Sequence, residues 1–543
     1  MLDLPLEPTD DLAQPVFKDK ASCEAWLHQL QLINLHQAHG VLRTQLDELN
    51  RYPMRGLERL HTLELLRETV VQVQGDYAKK LLSKKLPLSD DELTIFVSII
   101  GLWQGMVTGY QRCLQAYVAG DKHLADFGVL LTQRCLRYSG LQIFEHLRSG
   151  YEFDSKLWHQ LHALFAFAEE QDLHLLAVND ELHSAGHPSS CQAVYAKTLL
   201  ACHAHPDELT RGQLQLLDQW LNSWSEVFII DRRYSISKND APPLAMDLAS
   251  MQGLQPIQNV TPSDTLRYLA MVPLSKLLRV KTILLKQGQT PQQLELGGDC
   301  HGVDCVEFLG KLHHYLCEAN SDRQAERHTI AQSAELCFSI EGIYAHIAHK
   351  PFKQPKKDAE SDSMARKQIA AFGRVLTEAN RQDIAALGFA TESWHIENES
   401  ILGARLLREG NQGERIGTHQ IVAVKTNDAN AFMLGRVTWV AVTRSGQLRM
   451  SIQYLPGVAQ AISIKGKGLS TATQSDKAVA ALLLPEVPLL KIPPSLILPR
   501  EFFAPERLAD LTYLDDKNQA VKLGFSVDKG VDYERVSFAP ASS

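Results

Sequence analysis

The chain has 543 residues, 45% hydrophobic and 22% charged, with a formal net charge of −8. This length exceeds what one hydrophobic core organises, so two to four domains are expected, and the composition excludes a disordered or fibrous chain. The acidic balance argues against wholesale binding of long nucleic acid but leaves room for a local basic pocket that takes a small anion.

The opening MLDLPLEPTDDL is acidic and has no apolar h-region, so it does not read as a secretory signal. The run TIFVSIIGLWQGMVTGY is broken by Gln104 and three glycines and is followed by Arg112. It is shorter than the about 20 residues of a bilayer span and reads as a buried helix, so no membrane span is expected. Nine cysteines, odd in number and scattered, suit thiols in a reducing cytoplasm.

From about residue 20 to 225 the apolar spacing is helical, as in Leu57, Leu60, Leu63, Leu66, Val70 and Val73. DSKLWHQLHALFAFAEEQDL predicts a helix capped by Asp154 or Ser155, and TRGQLQLLDQWLNSW one capped by Thr210. The region reads as packed helical pairs without a provable fixed repeat. Residues 226–265 change to a β-branched and then Pro- and Asp-rich stretch, read as a short strand or irregular connection. SDTLRYLAMVPLSKLLRVKTILLKQG predicts a helix starting at Ser263 or Asp264, and VDCVEFLGKLHHYLCEAN another.

After Asn320 the period becomes two. AELCFSIEGIYAHI reads as a strand bulged after Gly342, and HQIVAVKT as a second strand. RVTWVAVTRSGQLRMSIQYL reads as a hairpin, with Val437 and Trp439 before a turn near Ser445-Gly446 and Leu448, Met450, Ile452 and Tyr454 after it. Together these predict a small antiparallel barrel carrying a helical insertion at about 349–390, which includes MARKQIAAFGRVLTEANRQDIAALG. Beyond 458, AISIKGKG, LILP and AVKLGFSV predict further strands, a second β-module or an extension of the first. The expected class is α+β multidomain: a helical interaction region at 1–320, a β-barrel at 321–457 and a β-rich module at 458–543.

Before the first barrel strand stands DRQAERH, with Arg323 and Arg327 four apart. Two guanidinium forks on one side suit phosphate oxygens and the O6/N7 edge of guanine. After the strand-like TESWHI comes ENESILGARLL, in which Asn398 offers a carboxamide for a base edge, Ser400 a hydroxyl for phosphate, and Gly403 a backbone without Cβ. RxxxR also occurs at Arg51/Arg55 and Arg55/Arg59, on a helical pattern that reads as a solvated basic face.

The ordered pair RxxxR and [D/N]xSxxG resembles the PilZ domain, a bacterial receptor family for cyclic di-GMP. The resemblance covers about residues 320–457. It implies a six-stranded barrel, cyclic di-GMP as ligand with no cofactor, and ligand contacts at Arg323, Arg327, Asn398, Ser400 and Gly403. The long separation of Arg327 from Asn398, and Asp322 beside Arg323, depart from the family pattern. The function this implies is a non-enzymatic receptor that passes ligand occupancy to an unidentified protein partner through the helical region. The alternative is a scaffold or chaperone-like protein whose PilZ-like domain has lost its nucleotide.

Other motifs point less far. Cys300, His301, Cys305, His313, His314 and Cys317 are zinc-ligand types, but their spacing fits no finger, so no metal is expected. KGKGLST lacks the first glycine of a phosphate loop and reads as a turn, and HAHPDE reads as a helix end. There is no nucleophile elbow and no HExxH, so no catalytic residue is assigned.

Overall fold

Helix-starting side chains set the architecture of the first half. Ser89 and Glu92 exchange bonds as a capping box at one helix start, and Thr210 and Gln213 do so at another. The structure is a computed structural model that describes all residues except 1, 3, 5, 83, 181, 183–187, 239, 319–331, 355–387, 411, 468–476 and 542–543. The chain divides into two units, Met1–Lys84 with Leu88–Arg323, and Lys85–Pro87 with Gln324–Ser543.

The first unit opens with α1 (Lys20–Leu27), α2 (Leu35–Arg51), α3 (Gly56–Ala78), α4 (Asp90–Val118), α5 (Gly128–Ser149), α6 (Lys156–Glu170), α7 (Cys191–His203) and α8 (Arg211–Ser223); α1 packs on α3, and from α2 to α8 each helix packs on the next. Leu60, Leu63, Leu66, Val70 and Val73 are buried on α3, as their spacing predicts. At α6 the carboxylate of Asp154 accepts from the amide of Lys156 at 2.9 Å, while Ser155 occupies the cap position without a side-chain bond. The apolar run from Thr94 belongs to α4, whose 29 residues are long and apolar enough to cross a membrane and whose Ile99, Leu102, Met106 and Tyr110 are buried inside this unit. The helix is thus longer than the run suggests, because its glycines do not interrupt it.

Residues 226–265 are more ordered than expected. They contribute to a four-stranded sheet of β1 (Ile230–Asp231), β2 (Leu244–Asp247), β3 (Gln255–Pro256) and β4 (Leu266–Leu269), in the order β1-β4-β2-β3. The helix predicted from Ser263 begins only at Val272, as α9 (Val272–Lys286). Pro273 explains the late start, since proline fits the first turn of a helix but not its interior. The residues before it pair as β4, and Arg267 there is locked onto Glu169 at 2.7 Å. The unit ends with α10 (Gly302–Cys317).

A buried ion network fastens this unit. Asp180, with no side-chain exposure, accepts from Arg67 at 2.7 Å and Arg134 at 2.9 Å and lies 3.3 Å from Arg137. Arg134 also binds Glu64 at 2.9 Å, and Tyr110 donates to Glu64 at 2.6 Å. Burial would push the Asp180 carboxyl up, but Arg137, Arg134 and Arg67 outweigh it and hold it at about 2.

The second unit holds two closed antiparallel barrels. The first uses β5 (Gln332–Phe338), β6 (Glu392–Ser400), β7 (Gly403–Arg408), β8 (Ile421–Thr426), β9 (Met433–Val442) and β10 (Leu448–Val458), in the ring order β10-β7-β6-β5-β8-β9. Between β5 and β6 runs α11 (Ile340–Ala348). The second barrel uses β11 (Gln460–Lys467), β12 (Val479–Leu484), β13 (Ser495–Pro499), β14 (Leu508–Tyr513), β15 (Asn518–Lys529) and β16 (Tyr533–Pro540), in the order β11-β12-β13-β16-β15-β14. The chain after 458 therefore forms a barrel of its own. The predicted helical insertion lies largely outside the described residues.

The bulged strand expected through Gly342 is instead a strand followed by a helix. Ser339, at φ 65°, breaks the strand, and its hydroxyl accepts from the amide of Gly342 at 3.1 Å to start α11. The helix is a wedge between the barrels: Ile340, Ile343 and Tyr344 share one core with Ile421, Ala423 and Leu434 of the first barrel and Leu482, Leu484, Ile497 and Tyr533 of the second. Lys465, Gly466 and Lys467 of the KGKGLST stretch, read as a turn, lie within β11, and the rest of that motif lies outside the described residues.

Replacing Asp180 with alanine leaves three buried guanidinium groups without their shared carboxylate and is expected to cost about 3 kcal/mol. Urea unfolding of the intact chain, followed by helical circular dichroism, measures this. Because the folded carboxyl titrates below its ordinary 3.8, its contribution is complete above that pH and is lost as pH falls toward about 2. The wild-type advantage over Asp180→Ala should shrink over that window.

Candidate functional site

Strands β6 and β7 meet in a two-residue turn, Ile401-Leu402, that carries the Asn-x-Ser-x-x-Gly stretch. The hydroxyl of Ser400 accepts from the amide of Leu402 at 3.3 Å and donates its one proton to the carbonyl of Gly403 at 3.3 Å. It therefore staples the turn. Gly403 sits opposite Gln453 of β10, and a Cβ built on it would lie 2.1 Å from the carbonyl oxygen of Ile452. The close approach that this glycine permits in the structure is to the neighbouring strand.

Asn398 owes its position to an extra residue. Ile396 pairs with Leu406, but Asn398 pairs with Arg405, so Glu397 is a bulge. Without it, Asn398 would follow buried Trp394 and Ile396 into the barrel. With it, the carboxamide shares the outer face with Arg405, which alternates with the buried Ala404 and Leu406. A second irregularity at Thr438 does the same for β9: Ile452 pairs with Val437 and Ser451 with Trp439. Val437 thus points inward and Trp439 outward, where simple alternation had put both on one face.

The two bulges assemble one row across four strands: Asn398, Arg405, Ser451 and Trp439. The guanidinium of Arg405 lies 5.4 Å from the centre of the Trp439 ring. Around the row, Arg449 binds Glu397 at 3.2 Å, and Arg436 binds Asp528 and Gln453, each at 2.9 Å. Inside, the Tyr454 hydroxyl donates to Glu399 at 2.5 Å; burial first, and then that carboxylate, push its proton affinity well above the ordinary phenol range. The outer face thus offers a carboxamide and a cation beside an indole, groups capable of hydrogen bonding, ring stacking and meeting an anion.

Of the five sequence-predicted contacts, Arg323 and Arg327 lie outside the described residues, and Asn398, Ser400 and Gly403 fall on one strand pair. Sequence reasoning missed Arg405 and Trp439. Arg405 stands in the same ENESILGARLL stretch, and the signal for it is its place two residues beyond Gly403 between apolar neighbours. The Cys/His cluster near residue 300 does not converge. Cys300 and Cys305 lie side by side, with Cα atoms 5.6 Å apart, while His313 and His314 both bind Glu318. Among the described residues no group of three or more His, Cys, Asp or Glu is placed to hold a metal.

Comparison with known proteins bears on both ends of the chain. Residues 21–233 match the model of the N-terminal domain of the cyclic-di-GMP receptor FimW, and residues 467–541 match the model of the FimW C-terminal β-barrel domain. Both ends of the chain resemble FimW. A curated relative, the cyclic-di-GMP receptor FimW of Pseudomonas aeruginosa, is 22% identical over 521 residues, covering 88% of this chain and 83% of that protein. The C-terminal FimW match covers β12 to β16 of the second barrel, and the N-terminal one spans α1 to α8.

Gly403→Ala should strain the β7–β10 pairing and cost about 2 kcal/mol, because a backbone oxygen cannot rotate away as a side chain would. Ser400→Ala should cost about 1 kcal/mol through the loosened turn. Chemical denaturation of both variants measures these effects without any ligand.

Proposed function

We propose that this protein is a cyclic di-GMP receptor that acts without catalysis and passes occupancy to a protein partner through its helical unit. The observation that carries the reading is the bulge at Glu397, which turns Asn398 onto the outer face beside Arg405 and Trp439. Its similarity to a relative named as a cyclic-di-GMP receptor supports the same ligand.

In this reading Arg323 and Arg327 grip phosphate and the guanine edge, Asn398 pairs with a base edge, and the Arg405–Trp439 stack supplies the platform for a purine ring. Ser400 and Gly403 act by holding the turn that presents Asn398. Arg449 and Arg436 are engaged by Glu397 and Asp528. The site is expected to work in the cytoplasm, where the free cysteines remain reduced.

Partner coupling requires that the partner bind the occupied and empty receptor with different affinity. The helical unit supplies the surface for it. A scaffold that has lost its nucleotide is the competing reading.

Calorimetric titration of cyclic di-GMP into the intact protein separates the two. Heat of binding is expected for the wild type, none for Arg323→Ala or Arg327→Ala, and an about tenfold weaker affinity for Arg405→Ala. A wild type that gives no binding removes the receptor reading and leaves the scaffold.

A further inference from the structure

On the side of the first barrel opposite β7, the strand of Arg405, lies a concavity. In the ring order β10-β7-β6-β5-β8-β9, strand β8 stands three places from β7 in either direction. Against β8 and β5, and beneath α11, opens a pocket of about 360 Å³. Its walls come from α11 (His346, Ile347), the β8–β9 loop (Phe432), β8 (Lys425), β5 (Glu335) and the junction of the barrels (Val458). That volume lies in the usual range for small-molecule sites.

The lining has a definite chemistry. Phe432 is a half-buried ring whose centre is 5.7 Å from the His346 imidazole and 5.9 Å from the Lys425 ammonium. His346 is held in place, because its Nε2 lies 2.6 Å from the carbonyl oxygen of Phe389 and must therefore donate. Ile347 and Val458 add apolar wall. Glu335 pairs in register with Lys425, but it is exposed, so water screens its charge more than that of the half-buried lysine.

We propose that this pocket binds a small planar aromatic anion, with its ring against Phe432 and His346 and its carboxylate on Lys425. The site is separate from the outer-face row and does not rest on nucleotide binding there. Because α11 shares its core with both barrels, an occupant of this pocket contacts the element that joins them.

Fluorine NMR with 4-fluorobenzoate as probe tests the proposal on the full-length protein. Saturable line broadening is expected for the wild type, reversed by excess benzoate and not by cyclohexanecarboxylate, which has the charge but no ring. Lys425→Met and Phe432→Leu should each weaken binding about tenfold. Ala431→Trp, a substitution at an exposed loop position on the rim, should block the pocket without touching the core, which keeps the test valid if a wall variant fails to fold. Saturating cyclic di-GMP should leave the probe bound. No broadening by the wild type, undiminished binding in all three variants, or displacement of the probe by cyclic di-GMP would each overturn the proposal.

Discussion

Closure of the first barrel is the constraint on which the candidate site depends. A ring of six antiparallel strands leaves no free edge, and its interior is filled: Trp394, Ile396, Ala404, Leu406, Met450 and Ile452 are all buried. Closing the ring brings β7 and β10 so near at Gly403 that no Cβ fits. Side chains of these strands reach solvent only on the outer face, and a residue that shares the inward parity of the core cannot reach it. One extra residue in β6 and one in β9 resolve this by re-aiming Asn398 and Trp439 while the pairing on either side stays intact.

The same closure explains the exceptionally apolar strands. All of Ile421, Val422, Ala423 and Val424 on β8 are buried, because one set lines the barrel and the other packs on α11. On β12, Ala481 and Leu483 fill the second barrel while Ala480, Leu482 and Leu484 face the wedge. A strand covered on both faces loses its alternation. The two barrels are thus two closed cores sharing a third, and α11 is the element common to that third core.

These relations mark what the sequence can and cannot show. Single-faced elements were legible: α3 through its three-and-four spacing, α8 through Thr210 and its apolar stripe, and β10 through Leu448, Met450 and Ile452. Elements covered twice are harder: HQIVAVKT reads as a strand without showing which face is inward, and the VAALLL of β12 carries no period and was not read as a strand. FSIEGIYAHI was misread because its first apolar residues alternate, while the residue that ends the strand, Ser339, does so through a backbone conformation that no pattern announces. Bulges are equally silent: nothing in ENES marks Glu397 as the extra residue. The motif was legible as a string, whereas the face it occupies is a property of register.

Register also bears on which motif residues carry ligand energy. A hydroxyl has one proton, and that of Ser400 goes to Gly403 O, so its bond holds the turn. Gly403 is fixed by the approach of β10. Ser400 and Gly403 are thus both held by the geometry that displays Asn398. By the same geometry, Arg405, absent from the motif pattern, gains a place beside Asn398 on the indole of Trp439. A motif of this kind specifies a presentation surface first, and the chemistry at that surface comes from whichever side chains the register sets next to it.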